Sequence, residues 1–154
     1  MTLRTSTTIF SWGLAFDGAN IWVTNQNSAT VTKLRASDGT PQGTFSVGSG
    51  PTSIVFDGAN IWVANEESDN VTKLRASDGA LQGTFAVGDE PYGVAFDGSS
   101  IWVANFSSNN VNKLRASDGA LLGTFTIETG GYSIAFDGAN MWVTNPQRNT
   151  VTKL

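Results

Sequence analysis

Short apolar runs separated by polar turn-formers recur along this chain with little variation. Residues 52 to 87 hold one full cycle: TSIVF, IWVAN, VTKLRA and LQGTFAV, punctuated by Asp57-Gly58, by EESDN at 66 to 70 and by Ser77-Asp78-Gly79. Each run has the length of a strand, and Asp-Gly fits turns that need a positive φ, so the cycle predicts a four-stranded antiparallel meander. The cycle then repeats. FDGANIWVTN at 16 returns as FDGANIWVAN at 56, FDGSSIWVAN at 96 and FDGANMWVTN at 136, which spaces Phe16, Phe56, Phe96 and Phe136 by 40 residues each without insertion or deletion. A period of that kind predicts stacked or radially arranged units forming one all-β domain over residues 1–154.

The faces of the strands choose between those arrangements. In IWVAN, Ile61 and Val63 point to one side and Trp62 and Ala64 to the other, so both sides are apolar and the strand is expected to be covered twice. In VTKLRA one side carries Val71, Lys73 and Arg75, which suits a strand nearer the rim, its long stems flat and its charges in water. Apolar inside and wetter outside describes the blade of a β-propeller. Four 40-residue, four-stranded antiparallel blades are therefore expected, with Trp22, Trp62, Trp102 and Trp142 filling the gaps between neighbours. The opening TLRTST, residues 2 to 7, aligns with the outer strand, and the final VTKL, residues 151 to 154, aligns with the third strand. The N-terminal run is thus expected to complete the last blade, leaving no long sheet edge in the ring.

IWVTN, IWVAN and MWVTN, each followed by a small polar loop, a VTKL-like strand and a VG..P turn, resemble the YVTN-type β-propeller repeat and, more distantly, the NHL repeat. The resemblance spans nearly the whole chain and implies the propeller fold; repeats of this kind serve as surface proteins, binding scaffolds and some enzymes. The similar streptogramin lyases rely on histidine, and this chain has none, so their chemistry does not carry over. Those families usually have six to eight blades. Four copies leave two main arrangements, a compact four-bladed ring of one chain or an eight-bladed ring of two chains exchanging N-terminal strands. The two-chain ring is preferred because the blade pattern belongs to wider rings, and a piece of a longer protein is the third reading.

Composition removes several chemistries. With neither cysteine nor histidine, disulfides, thiolate metal sites and Cys or His nucleophiles are excluded. The first residues lack the apolar stretch of a signal peptide, and no segment approaches the ~20 apolar residues that cross a bilayer, so a soluble protein without membrane contact is expected. The aspartates of the Asp-Gly turns are accounted for by turn geometry, and no metal site or cofactor is expected.

Difference between the copies is concentrated in two sets of loops. FDG and RASDG hardly change, while the loop after IWVAN reads QNSAT, EESDN, FSSNN and PQRNT, and the connection between copies reads GSGP, GDEP and ETGG. In a meander blade both sets emerge on one face. The charges agree: acids and bases within the repeated elements cancel, and the net −4 comes from Glu66, Glu67, Asp69, Asp89, Glu90 and Glu128 against Arg4 and Arg148. Five of these acids cluster around the second copy, which favours a basic partner and repels a phosphate backbone. No basic stripe suggests nucleic-acid binding. At the start of the innermost strand stand Trp12, Thr52, Tyr92 and Tyr132, each followed by Gly or Ser. These should ring the channel mouth on the variable face, where aromatic surfaces with a polar edge suit a sugar or another small ligand. Phe106 extends that surface.

The expected function is therefore recognition without catalysis: a binding or scaffold propeller that takes a small molecule, glycan or protein on its variable face. The candidate contacts are Trp12, Tyr92, Tyr132, Phe106, Glu66, Glu67, Asp89 and Glu90. The alternatives are a hydrolase or lyase using paired loop carboxylates, and a purely structural repeat of a larger surface protein.

Overall fold

The structure, a computed structural model, describes residues 11–154. Three blades are four-stranded meanders in simple sequential order. The first comprises β1 (Ser11–Phe16), β2 (Asn20–Asn25), β3 (Thr30–Arg35) and β4 (Pro41–Ser46). The second comprises β5 (Pro51–Phe56), β6 (Asn60–Asn65), β7 (Asn70–Arg75) and β8 (Leu81–Ala86). The third comprises β9 (Pro91–Phe96), β10 (Ser100–Asn105), β11 (Asn110–Arg115) and β12 (Leu121–Thr126). The fourth blade contains β13 (Ile134–Phe136), β14 (Met141–Asn145) and β15 (Thr150–Lys153), three strands among the described residues. The N-terminal segment expected to complete it lies outside the described residues. No helix among the described residues is long and apolar enough to cross a membrane.

The core lies between blades, in three layers. Trp22 and Val31 of the first blade pack on Ile54, Ile61, Val63 and Leu74 of the second. Trp62, Ala64 and Val71 of the second blade meet Val94, Ile101, Val103 and Leu114 of the third. Trp102, Ala104 and Val111 then meet Ile134, Met141 and Val143. The two apolar sides of the IWVAN strand thus serve two different neighbours. Each buried tryptophan also rests against a phenylalanine of the outer strand of its own blade, as Trp62 does on Phe85 with ring centroids 5.5 Å apart. Trp142 departs from the expectation: it is exposed, because no fifth blade stands beside it among the described residues.

The Asp-Gly turn positions these tryptophans. Asp57 accepts hydrogen bonds from the backbone of Ala59 and Asn60 with one oxygen, and from the Trp62 indole at 2.7 Å with the other. The same indole bond recurs at Asp17, Asp97 and Asp137. One carboxylate therefore holds both the turn and the orientation of the wedge. Burial acts to raise the pKa of Asp17 and Asp97, but hydrogen bonds led by the indole outweigh it and hold both carboxyls below their usual range. At the exposed Asp137 the indole bond leads and the shift is again downward. Because the folded value lies below the unfolded one of ~3.9, this stabilisation is complete above about pH 4 and is lost as the pH falls through the folded values. The melting temperature is accordingly expected to hold between about pH 7 and 5 and to fall below about pH 4. A melting temperature unchanged down to about pH 2, read by circular dichroism, would remove the carboxylates from this role.

The lysines of the third strand correct the sequence reading. Lys33 and Lys73 do not extend their charges into water but lie buried between blades. Lys33 Nζ donates to the carbonyls of Ala76 and Ser77 at 2.7 and 3.1 Å, and Lys73 Nζ to those of Ala116 and Ser117 at 2.7 and 3.0 Å. Each ammonium also lies about 5 Å over the tryptophan ring beside it, at 5.1 Å for Lys33 and 5.0 Å for Lys73. Orphan carbonyls of the next blade's RASDG turn supply what burial takes from the charge.

Toward the centre, backbones approach closely. A Cβ at Gly13 would stand 2.5 Å from the Thr52 carbonyl oxygen, and one at Gly93 would stand 2.7 Å from that of Tyr132. This accounts for the glycines that follow positions 12 and 92.

Candidate functional site

The variable loops do share one face. Gly50 accepts from Glu66 N–H and Ser49 from Glu67 N–H, so the first connection between blades is bonded to the second blade's loop. Glu90 and Asp89 accept in the same way from Phe106 and Ser107. The Asp69 carboxylate caps the second connection by accepting from Glu90 N–H at 2.9 Å. The backbone contacts tie the second and third loops to the start of the innermost strand of their own blades, and the Asp69 contact ties the second loop to the third blade.

At the centre of this face lies a concavity of about 220 Å³ lined by Trp12, Thr52, Tyr92 and Tyr132 and by the small residues behind them. Tyr92 stacks on Tyr132 with centroids 4.7 Å apart and planes 23° from parallel. Phe106 meets both edge-on, at 5.6 Å from Tyr92 and 6.4 Å from Tyr132. Trp12 is exposed and lines the same concavity, but it joins no ring contact among the described residues. Thr52 behaves differently from its aromatic counterparts. It is buried, and its hydroxyl donates to the Pro91 carbonyl at 3.1 Å, so it ties two blades together rather than facing a ligand.

Glu66 is the acid drawn into this cluster. Its Oε1 accepts from the Tyr92 hydroxyl at 2.6 Å, and its Oε2 accepts from Gln26 Nε2 at 3.2 Å. Burial first, then the bond to Glu66 and the charges of Glu66 and Glu90, push the Tyr92 phenol well above its ordinary value. Tyr92 therefore remains a protonated donor. Glu90 stands apart from the rings and accepts from Ser107 Oγ at 2.6 Å. Glu67 is exposed and lines a separate groove with Gln26, Asn27, Ala29, Ser49 and Gly50. Asp89 is exposed, with its N–H donating to Ser108 Oγ at 2.6 Å. Of the eight expected contacts, Tyr92, Tyr132, Phe106 and Glu66 form one cluster, with Trp12 across the concavity, while Glu67, Asp89 and Glu90 occupy the surrounding loops.

Gln26 was missed by the sequence reading. The signal was its register: Gln26, Glu66, Phe106 and Pro146 hold the same first place in the four variable loops, and the first three bond or pack across blade boundaries. Among the described residues no group of His, Cys, Asp and Glu could hold a metal ion.

No family model matches the sequence, and no curated protein does. Solved structures do match. A Kuenenia stuttgartiensis hydrazine synthase chain is 21% identical with a TM-score of 0.81, over 94% of this chain and 46% of that one. A streptogramin B lyase is 20% identical with a TM-score of 0.75, over 93% of this chain and 53% of that one. The computationally designed Ika4 protein is 12% identical with a TM-score of 0.86, over 100% of this chain and 98% of that one. The chain thus spans about half the length of the two enzyme chains. At these identities the likeness establishes the β-propeller fold alone.

Proposed function

We propose that this chain, whose repeats resemble the YVTN type, is a recognition propeller that binds ligands at the central concavity of its variable face without transforming them. The observation that carries the reading is the Tyr92–Tyr132–Phe106 aromatic cluster with Glu66 fixed at its edge. Stacked rings offer a flat apolar wall, and a carboxylate oriented by two neutral donors stands beside it. That pairing suits a ligand with a flat or ring-shaped face carrying an amino or guanidino group, which gains both aromatic and ionic contacts. The surrounding acids Glu67, Asp89 and Glu90 add a field that draws such a cation inward.

The test is to screen glycan and peptide arrays, then titrate the strongest binder against variants. Tyr132→Ala and Glu66→Gln are each expected to weaken it about tenfold. Binding left unchanged by simultaneous alanine at Trp12, Tyr92 and Tyr132 would end this reading.

A further inference from the structure

We infer that the two open faces of this chain are the halves of one missing blade interface, and that a second copy fills both to give a closed ring of eight blades. The inference is independent of the ligand reading above. It rests on what the same sequence positions do inside the chain and at its ends.

The second, third and fourth blades each receive a neighbour on the side facing the preceding blade. There Ile54 is 7% exposed, and Val94 and Ile134 are likewise buried; Leu14, the same position in the first blade, is 68% exposed. The opposite faces show the mirror pattern. Trp22 and Trp62 are 0% exposed and Val31, Val71 and Val111 are fully buried, whereas Trp142 is 39% and Val151 57% exposed. Among the described residues, one end therefore presents a tryptophan face with nothing to cover, and the other presents the apolar face that such a tryptophan covers three times over within the chain.

The polar contacts match in register as well. Lys33 and Lys73 step to carbonyls in the next blade's third turn. Two blades beyond Lys73, the same step takes Lys153, already 5.5 Å over the Trp142 ring, to the carbonyls of the partner's Ala36 and the partner's Ser37. Thr24 Oγ1 donates to the Thr52 carbonyl at 3.0 Å, and the equivalent step takes Thr144 to the carbonyl of the partner's Trp12. Apolar surface and ammonium acceptors are thus supplied together. Few partners other than this chain could meet both demands in one register.

Closure also changes the central site. Successive inner positions run Trp12, Thr52, Tyr92, Tyr132, so the next ring after Tyr132 is supplied by the partner's Trp12. Each Tyr92–Tyr132 stack then continues into an indole from the second copy, and the ring carries two such aromatic arcs.

Light scattering should give twice the 16.3 kDa of one chain. A single-chain mass, or a mass above two chains, would overturn the proposal. Leu14→Arg and Thr144→Arg each place a charge in one of the two faces, at positions exposed in the single chain. Both variants should keep their circular dichroism spectrum while the dissociation constant rises about a hundredfold or more. Mixing them leaves one intact interface per pair, so the mixture should show more two-chain species than either variant alone. A pair of variants that stay dimeric, or a mixture no more associated than its components, would refute the head-to-tail geometry.

Discussion

Trp62→Ala is expected to cost about 3–5 kcal/mol of stability, within the range for truncating a buried tryptophan. The side chain is fully buried and fills the gap between the second and third blades against Val94, Ile101, Val103 and Leu114. Removing it opens a cavity walled on both sides by strands whose backbones are already paired, so the walls have little freedom to close over it. It also removes the ring on which Phe85 and the Lys73 ammonium rest. For a chain of this length a loss of that size corresponds to a fall of about 10–15 °C in melting temperature. Trp62→Phe keeps most of the volume but leaves Asp57 without its indole donor, and should cost about 1–2 kcal/mol. A loss under about 1 kcal/mol for Trp62→Ala, measured by urea unfolding, would mean that the tryptophans do not hold the blades together.

Most of this architecture was legible in the sequence because its signals are local. Asp-Gly marks the turns, alternation marks the faces, and two-sided apolar strands require two neighbours. What was not legible depends on the neighbour rather than on the residue. Trp22 and Trp142 sit in nearly identical decapeptides, FDGANIWVTN and FDGANMWVTN, yet one is buried and the other exposed, since burial is conferred by the following blade. Lys73 was read as a rim residue because alternation gives the side of a strand and says nothing of the carbonyls 43 and 44 residues further on. Thr52 was grouped with the aromatic residues around the concavity because it shares their register, but a short hydroxyl reaches the neighbouring backbone where a ring cannot. The candidate site was visible as variation among the loops. Its one closely bonded group, Gln26–Glu66–Tyr92, required knowing which loops meet across a blade boundary.

The lysine struts provide an internal control that separates their role from generic packing. Lys73→Met keeps the length and apolar stem of the side chain but removes the donor, leaving the Ala116 and Ser117 carbonyls unpaired beside a buried thioether. Hydrogen bonds to a charged group contribute about 1.5–3 kcal/mol, and the ammonium over the Trp62 ring adds about 0.5–2 kcal/mol, against which the desolvation of the charge is relieved. A net loss of about 2–3 kcal/mol is expected. Lys113 has the same sequence context, but among the described residues it makes no such carbonyl bond; it turns toward Asp97 at 3.7 Å, with its side chain 29% exposed. Lys113→Met removes a partly solvated pair and should cost no more than about 1 kcal/mol. Urea unfolding of the two variants reads the difference directly. Equal losses at the two sites would show that the charge is valued for its ring contact or its stem, which both share, and would take the interblade carbonyl bonds out of the account of stability.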